Sequence, residues 1–407
     1  MRDVAIVGAG MTRFGKYADK GIKDLVREPV EAAVKEAGIA YADIEAAYVG
    51  SAVPGVMTGQ EQIKAQVCLS AMGIDTIPMY NVENACASSS SALNLAWTAV
   101  AAGMHDCVLV VGFEKLFDPD KLKSFMALGT AVDIEMVQQF LEDFQKKQDG
   151  EESILSSDSG KSKSIFMDMY AYYTRQYMKK YGLTQEHFAQ LAVKSHHNGA
   201  NNPHAMYQKA VTLEEVLQSG DVAFPLTRMM CSPVSDGGAA VLICSSEKAA
   251  QLTGNPVWIA ASVVGSGRIC EDLSDTLTRR LGPQAFEQAG IGPEELDVIE
   301  VHDATSPSEI ITLIELGICP GEEAGRWIDE GELEVTGRMP SNTSGGLASK
   351  GHPIGATGLG QVNEIFHQLR GQAGARQVSD PKVGMTHNGG GILGVDAAAM
   401  ALHIFKT

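Results

Sequence analysis

The chain carries a second, degraded copy of one of its own segments. Residues 35–49 (KEAGIAYADIEAAYV) and 287–301 (EQAGIGPEELDVIEV) share Ala37-Gly38-Ile39 with Ala289-Gly290-Ile291, and Ile44 answers to Leu296, all at one offset (289 − 37 = 252). In each copy a helical stretch stops at a glycine, turns and enters an apolar run, and glycine just past the last helical residue is a helix stop signal. The run beginning at Val4 has a matching partner near Val257. A constant offset over such a length exceeds what composition gives and predicts two similar halves, about 1–250 and 255–407.

Apolar runs at 4–7, 47–49, 108–111, 241–244, 257–264 and 298–301 are expected strands, and 32–37, 91–102, 284–289 and 358–369 expected helices. This alternation indicates an α/β fold with a mainly parallel sheet. Residues 116–215 differ in character, being rich in Lys, Asp, Glu, Ser, Met and Tyr. Within them 143–163 is expected to be an exposed loop, and 167–181 and 185–198 helices. The expected organisation is an N-terminal half of 1–115 plus 216–250, an inserted unit at 116–215, and a C-terminal half at 255–407.

A net charge of −18 argues against a sequence-independent nucleic-acid binder and against docking on an anionic membrane. The N-terminal residues read as a strand rather than a secretory signal, and no run of apolar residues is long enough to cross a bilayer. Seven scattered cysteines without a CxxC pair predict no zinc ribbon and no disulfide framework, hence a reduced, cytoplasmic protein. Val7-Gly8-Ala9-Gly10 follows a strand, but Arg13 replaces the third glycine of a dinucleotide fingerprint. His196 and His197 are adjacent, so on a helix they face apart and do not share a metal.

Four segments carry chemistry. Asn84-Ala85-Cys86 precedes a small-residue stretch opening an apolar helix, where the helix dipole favours a thiolate and small neighbours leave room at the sulfur. A buried structural cysteine is the competing reading. Residues 341–360 (SNTSGGLASKGHPIGATGLG) hold His352 on a glycine-rich loop, suited to taking a proton from a thiol, with bracing of that loop as the alternative. Residues 384–394 (GMTHNGGGILG) place His387 at an expected strand end before a glycine-rich turn whose amides would form an oxyanion hole. His302-Asp303 follows an apolar strand, where catalytic groups of open sheets gather.

Together, and in this order, these segments resemble the thiolase family over essentially the whole chain. The GHPIGATG string is its most specific element. The resemblance implies a duplicated fold of two βαβ halves, layered α-β-α-β-α, with an inserted loop domain that covers the site and helps bind coenzyme A. His302-Asp303-Ala304-Thr305 and His387-Asn388-Gly389 are similar to the sterol-carrier-type and archaeal subgroup, although Thr305 stands where that group usually has Phe. The resemblance extends to thiolases that cleave benzoylsuccinyl-CoA.

It implies the following site. Cys86 is the nucleophile and His352 takes its proton. Backbone N–H groups near Cys86 and Gly389 hold the alkoxide. His352 with Asn342 or His302 holds the enolate oxygen, and His387 protonates its carbon. Coenzyme A enters as a substrate; no metal and no permanently bound cofactor are expected. A homodimer core and a small OB-fold, zinc-ribbon partner are expected by the same resemblance. The alternatives are an aldolase acting on an acyl-CoA with the same fold, and a non-catalytic acyl-CoA-binding scaffold.

Overall fold

The computed structural model describes residues 1–135, 164–252, 255–269 and 273–407. The loop expected at 143–163 lies outside them. Among the described residues eleven strands are assigned: β1 (Val4–Met11), β2 (Ala46–Gly50), β3 (Met79–Val82), β4 (Cys107–Glu114), β5 (Asp221–Ala223), β6 (Leu226–Thr227), β7 (Gly237–Ser245), β8 (Val257–Ser266), β9 (Val298–Glu300), β10 (Val383–Leu393) and β11 (Asp396–Lys406). β5 and β6 form a small separate ribbon, and the other nine run in the order β3-β2-β4-β7-β1-β8-β11-β10-β9.

That order explains the sequence repeat. β1 and β8 meet over only two residue pairs, Ala5 with Trp258 and Ile6 with Val257, and the halves mirror each other outward from this seam. β7 and β11 lie antiparallel to their neighbours, while β4–β2–β3 and β10–β9 are parallel. A parallel bridge from Ile299 to Ser341 stands where β3 stands in the first half. The sheet is therefore mixed, not mainly parallel as expected. β7 and β11 each insert antiparallel between strands that would otherwise make one parallel set in their half, and the halves themselves meet antiparallel at β1 and β8.

Side-chain alternation along the strands produces the layers. In β4, Val108 and Val110 pack inward with helices Ser88–Ala101 and Thr357–Leu369, whereas Leu109 and Val111 pack outward with helix Ile22–Ala37. In the second half Leu402 and Ile404 pack against helices Leu277–Ala289 and Pro307–Glu315. The result is helix, sheet, two central helices, sheet, helix, with each apolar side chain so buried contributing roughly 1.5–3 kcal/mol. Gly8 and Gly10 belong to this packing: a Cβ would sit 2.3 Å from Ala33 O and 2.5 Å from Pro29 O. Helix Ile22–Ala37 thus lies directly on β1, which accounts for the Gly-Ala-Gly run without a nucleotide.

The helices expected at 167–181 and 185–198 are present as Ile165–Tyr181 and Gln185–Ala200. The first packs against helix Pro307–Glu315, where Tyr177 donates to Glu315 Oε1 at 2.8 Å. Among the described residues no helix is long and apolar enough to cross a membrane.

Candidate active site

The central helices point their N-terminal ends at one cavity of about 500 Å³, walled mostly by apolar side chains. Cys86, His302, His352, His387 and Gly389 all line it. Cys86 sits half-buried on a single 3₁₀ turn, Ala85–Ala87, ahead of the α-helix. Ala85 holds φ +47, a left-handed backbone that projects the turn out of the helix line. The expected role of the small neighbours needs correction. Ser88, Ser89, Ser90 and Ser91 are buried, and they let the helix start wedge against β2 and β4. A Cβ on Gly50 would come within 2.6 Å of Ser89 N, and one on Gly112 within 2.5 Å of Ser89 Cβ.

The thiolate expectation is also corrected. Burial, and then the nearby Glu114 carboxylate, push the Cys86 thiol up to about 12. The backbone N–H groups of Gly391 and of Cys86 itself pull the other way without prevailing. The resting sulfur is a thiol and requires a base.

His352 has the geometry of one. Its Nδ1 lies 2.7 Å from Thr357 Oγ1, whose hydroxyl proton goes to Pro353 O at 3.1 Å. Thr357 therefore accepts from Nδ1–H, which leaves the Nε2 lone pair free. Burial, and then His302, hold this imidazole well below its usual pKa, so it is neutral. The loop is pinned by Ser235 Oγ, which accepts from His352 N at 2.8 Å, and by Glu114, which accepts from Gly355 N at 2.9 Å. Cys86 Sγ, one ring nitrogen of His302 and one of His352 all lie within 4.8 Å of one another.

His302 has the opposite tautomer. Asn388 Nδ2 donates to its Nδ1 at 3.0 Å, and Asn388 Oδ1 accepts from Ser90 Oγ at 2.9 Å. Nε2 then carries the proton, and burial pushes the ring down to about 4. A neutral N–H donor in a largely apolar cavity is suited to an oxyanion.

His387 differs from expectation. Its Nδ1 accepts from His302 N at 3.5 Å, and its Nε2 is 3.1 Å from Thr278 Oγ1, which also hydrogen-bonds the buried Glu315. Both ring nitrogens are thus hydrogen-bonded in this arrangement, and the ring also lines the cavity. Nor does it end a strand. β10 continues through Gly389, Gly390 and Gly391, and the chain reverses only between Leu393 and Asp396. Gly390 is there for close approach, since a Cβ on it would lie 2.3 Å from Asn84 O and 2.9 Å from Cys86 N. The amide directed at the sulfur belongs to Gly391, not Gly389.

Asn342 is not among the cavity residues. It is fully buried at φ +49, and its Oδ1 accepts from Val301 N at 2.8 Å, fixing the chain just before His302. Sequence reasoning missed Glu114, Asn388, Thr357 and Gly391. Asn388 and Thr357 lie inside the two quoted motifs and were legible as hydrogen-bonding neighbours of a histidine; Glu114 had no local signal. Its carboxylate also accepts from Ala52 N and Val53 N at 3.0 and 3.1 Å.

Comparison with known proteins decides the family. Residues 4–247 match the thiolase N-terminal domain, and residues 266–403 the thiolase C-terminal domain-like family. The chain belongs to the thiolase family. Its relatives include the acetyl-CoA acetyltransferase of Methanothermobacter thermautotrophicus, 38% identical with both chains fully covered. Sterol carrier protein 2 of Gallus gallus is 36% identical over 95% of this chain and 69% of its own. In fold, the thiolase chain is similar to a solved Ltp2-ChsH2(DUF35) aldolase, at a TM-score of 0.78, 24% identity and coverage of 100% and 98%. Human mitochondrial 3-ketoacyl-CoA thiolase is similar at a TM-score of 0.69, 20% identity and coverage of 100% and 99%. The protein is thus a thiolase-family acyltransferase.

Proposed function

We propose that the chain cleaves a 3-oxoacyl-CoA with free coenzyme A, or runs the reverse Claisen condensation, through an acyl-Cys86 intermediate. One observation carries this: the Cys86 thiol stands with neutral His352 and His302, of opposite tautomer, within 4.8 Å at a largely apolar cavity.

His352 Nε2 removes the thiol proton as sulfur attacks the keto carbon. The alkoxide is held by the backbone N–H groups of Cys86 and Gly391, a type of contact worth roughly 3–4 kcal/mol per donor. Carbon–carbon cleavage releases an enolate whose oxygen takes the proton-bearing Nε2 of His302. Because both His387 nitrogens are engaged, His352 delivers the proton to the enolate carbon. Coenzyme A then gives its thiol proton to His352, attacks acyl-Cys86, and the sulfur regains that proton as it leaves. His387 and Asn342 brace His302. Two-stage transfer of this kind predicts ping-pong kinetics.

The cavity walls include Phe125, Phe166, Tyr170, Tyr173, Ile311 and Ile354, which suits a bulky apolar acyl group. Benzoylsuccinyl-CoA and acetoacetyl-CoA are the two ends of the substrate range to test. β3 is an edge strand, with Tyr80 exposed and stacked on Tyr48 at 4.7 Å; this free edge supports a homodimer. A small OB-fold partner is part of the same reading, supported by the two-component name of the similar aldolase structure.

The test is mass spectrometry of the chain mixed with 3-oxoacyl-CoAs in the absence of free coenzyme A, with and without a candidate partner. An acyl adduct on Cys86 is expected. Turnover of an acyl-CoA aldol with no adduct would establish the aldolase reading instead, and turnover of neither substrate class would leave the scaffold.

A further inference from the structure

We infer that Cys86, His302 and His352 form a closing site for one thiophilic divalent cation of the zinc class, and that its occupation switches the enzyme off. The three donor atoms already lie within 4.8 Å of one another, and among the described residues they are the one group of three or more Cys, His or acidic side chains so arranged. Tetrahedral zinc with sulfur and nitrogen ligands places its donors roughly 3.4–3.7 Å apart, so the site closes by about 1 Å. One thiolate and two imidazoles is a donor set that selects zinc over the hard cations.

The surroundings meet the usual demands on metal-binding histidines, whose second nitrogen is held by a hydrogen bond. His352 presents a free Nε2 lone pair, because its Nδ1–H is spent on Thr357. His302 requires the other tautomer, and the Asn388 amide serves it when turned over. Its oxygen then accepts from Nδ1–H, and its nitrogen donates to Ser90 Oγ, the same two partners it has now.

Binding replaces the S–H bond of Cys86 by a metal–sulfur bond and releases one proton to solvent. It also occupies the lone pair with which His352 takes the thiol proton. The inhibition rests on Cys86 being the nucleophile; the binding does not.

The experiment titrates zinc into the reduced full chain by calorimetry between pH 5.5 and 8.5, and follows cobalt substitution by its sulfur-to-metal charge-transfer band. One equivalent, one proton released, and an affinity that rises with pH are expected. Cys86→Ser should remove the band, and His302→Gln should weaken binding at least tenfold, while Cys231→Ser, elsewhere on the cavity wall, should change neither. Loss of the band in Cys231→Ser, full affinity in His302→Gln, or a pH-independent affinity would overturn the site. Thiolysis should fall with the same midpoint, competitively with acyl-CoA, and return with chelator. Stoichiometric binding beside a Cys86→Ala variant that still turns over would keep the site and reject the nucleophile.

Discussion

Gly389 and Gly390 are chemically identical neighbours with opposite surroundings. A Cβ on Gly389 meets only Met400 and Ala397, at 3.7 and 3.9 Å, whereas one on Gly390 collides with the backbone of the nucleophile turn. Gly390→Ala should therefore lower thiolysis kcat by about a hundredfold, the usual consequence of misplacing a reacting group by an ångström. Gly389→Ala should remain within a few-fold. Equal losses in steady-state assays of the pair would refute this. The histidines divide in the same manner. His352→Gln removes the base and should lower kcat by about 10²–10⁴-fold. His387→Gln keeps partners for Thr278 and for His302 N and should stay within about tenfold. A greater loss at His387 would return the carbon-acid role to that residue.

Glu315 shows how two elements are coupled behind the site. It ends helix Pro307–Glu315, accepts from Tyr177 of helix Ile165–Tyr181, faces Arg279 at 3.9 Å and reaches His387 through Thr278. Burial raises its carboxyl above the usual value, and the Tyr177 hydroxyl opposes that rise. A carboxyl raised in the folded state contributes most below its unfolded pKa, and that contribution is lost as pH rises through the folded value. Tyr177→Phe raises the group further. The substitution should cost about 1–3 kcal/mol, and urea unfolding should show the cost growing from pH 5 toward pH 8. A cost independent of pH would mean that only packing was lost.

At the scale of the whole molecule, burial has opposite effects on two classes of group. His302, His387 and His403 are pushed down to about 4, 3 and 4, and His352 lies well below its usual value. These rings stay neutral in the fold while the unfolded chain protonates them below about pH 6.5. Unfolding thus takes up protons, and the stability present above pH 6.5 is lost as pH falls toward 4. Glu114 works in the other direction. Raised to about 7, it is most favourable below about pH 4.5, and its contribution is lost as pH rises through 7. His196 and His204 are lowered as well, and Asp303, Glu309 and Glu315 are raised like Glu114, so six imidazoles stand against four carboxyls, the acid-side loss prevails below about pH 6, and the denaturation midpoint should drop between about pH 6 and 4.5. A flat midpoint across that interval would contradict the buried, neutral state of the histidines.

The sequence alone determined the duplication, because helix–glycine–strand segments repeat at a constant spacing. It also named His302 and His352 among the candidates, because the glycines and proline around His352 mark a backbone shaped for close approach. Local patterning carries both. The orientation of β7 and β11 was not legible, since strand direction depends on which neighbour a strand pairs with and leaves no mark in its own residues. Nor were the protonation states. The helix start argued for a thiolate at Cys86, but burial and Glu114, 28 positions away (114 − 86 = 28), reversed it. The nitrogen left free was set by Thr357 for His352 and by Asn388 for His302, while Thr278 engages His387, and only the packed chain brings those groups within hydrogen-bond distance. Composition and spacing name the reacting atoms; desolvation and partners, which exist only once the halves are closed, decide where each proton sits.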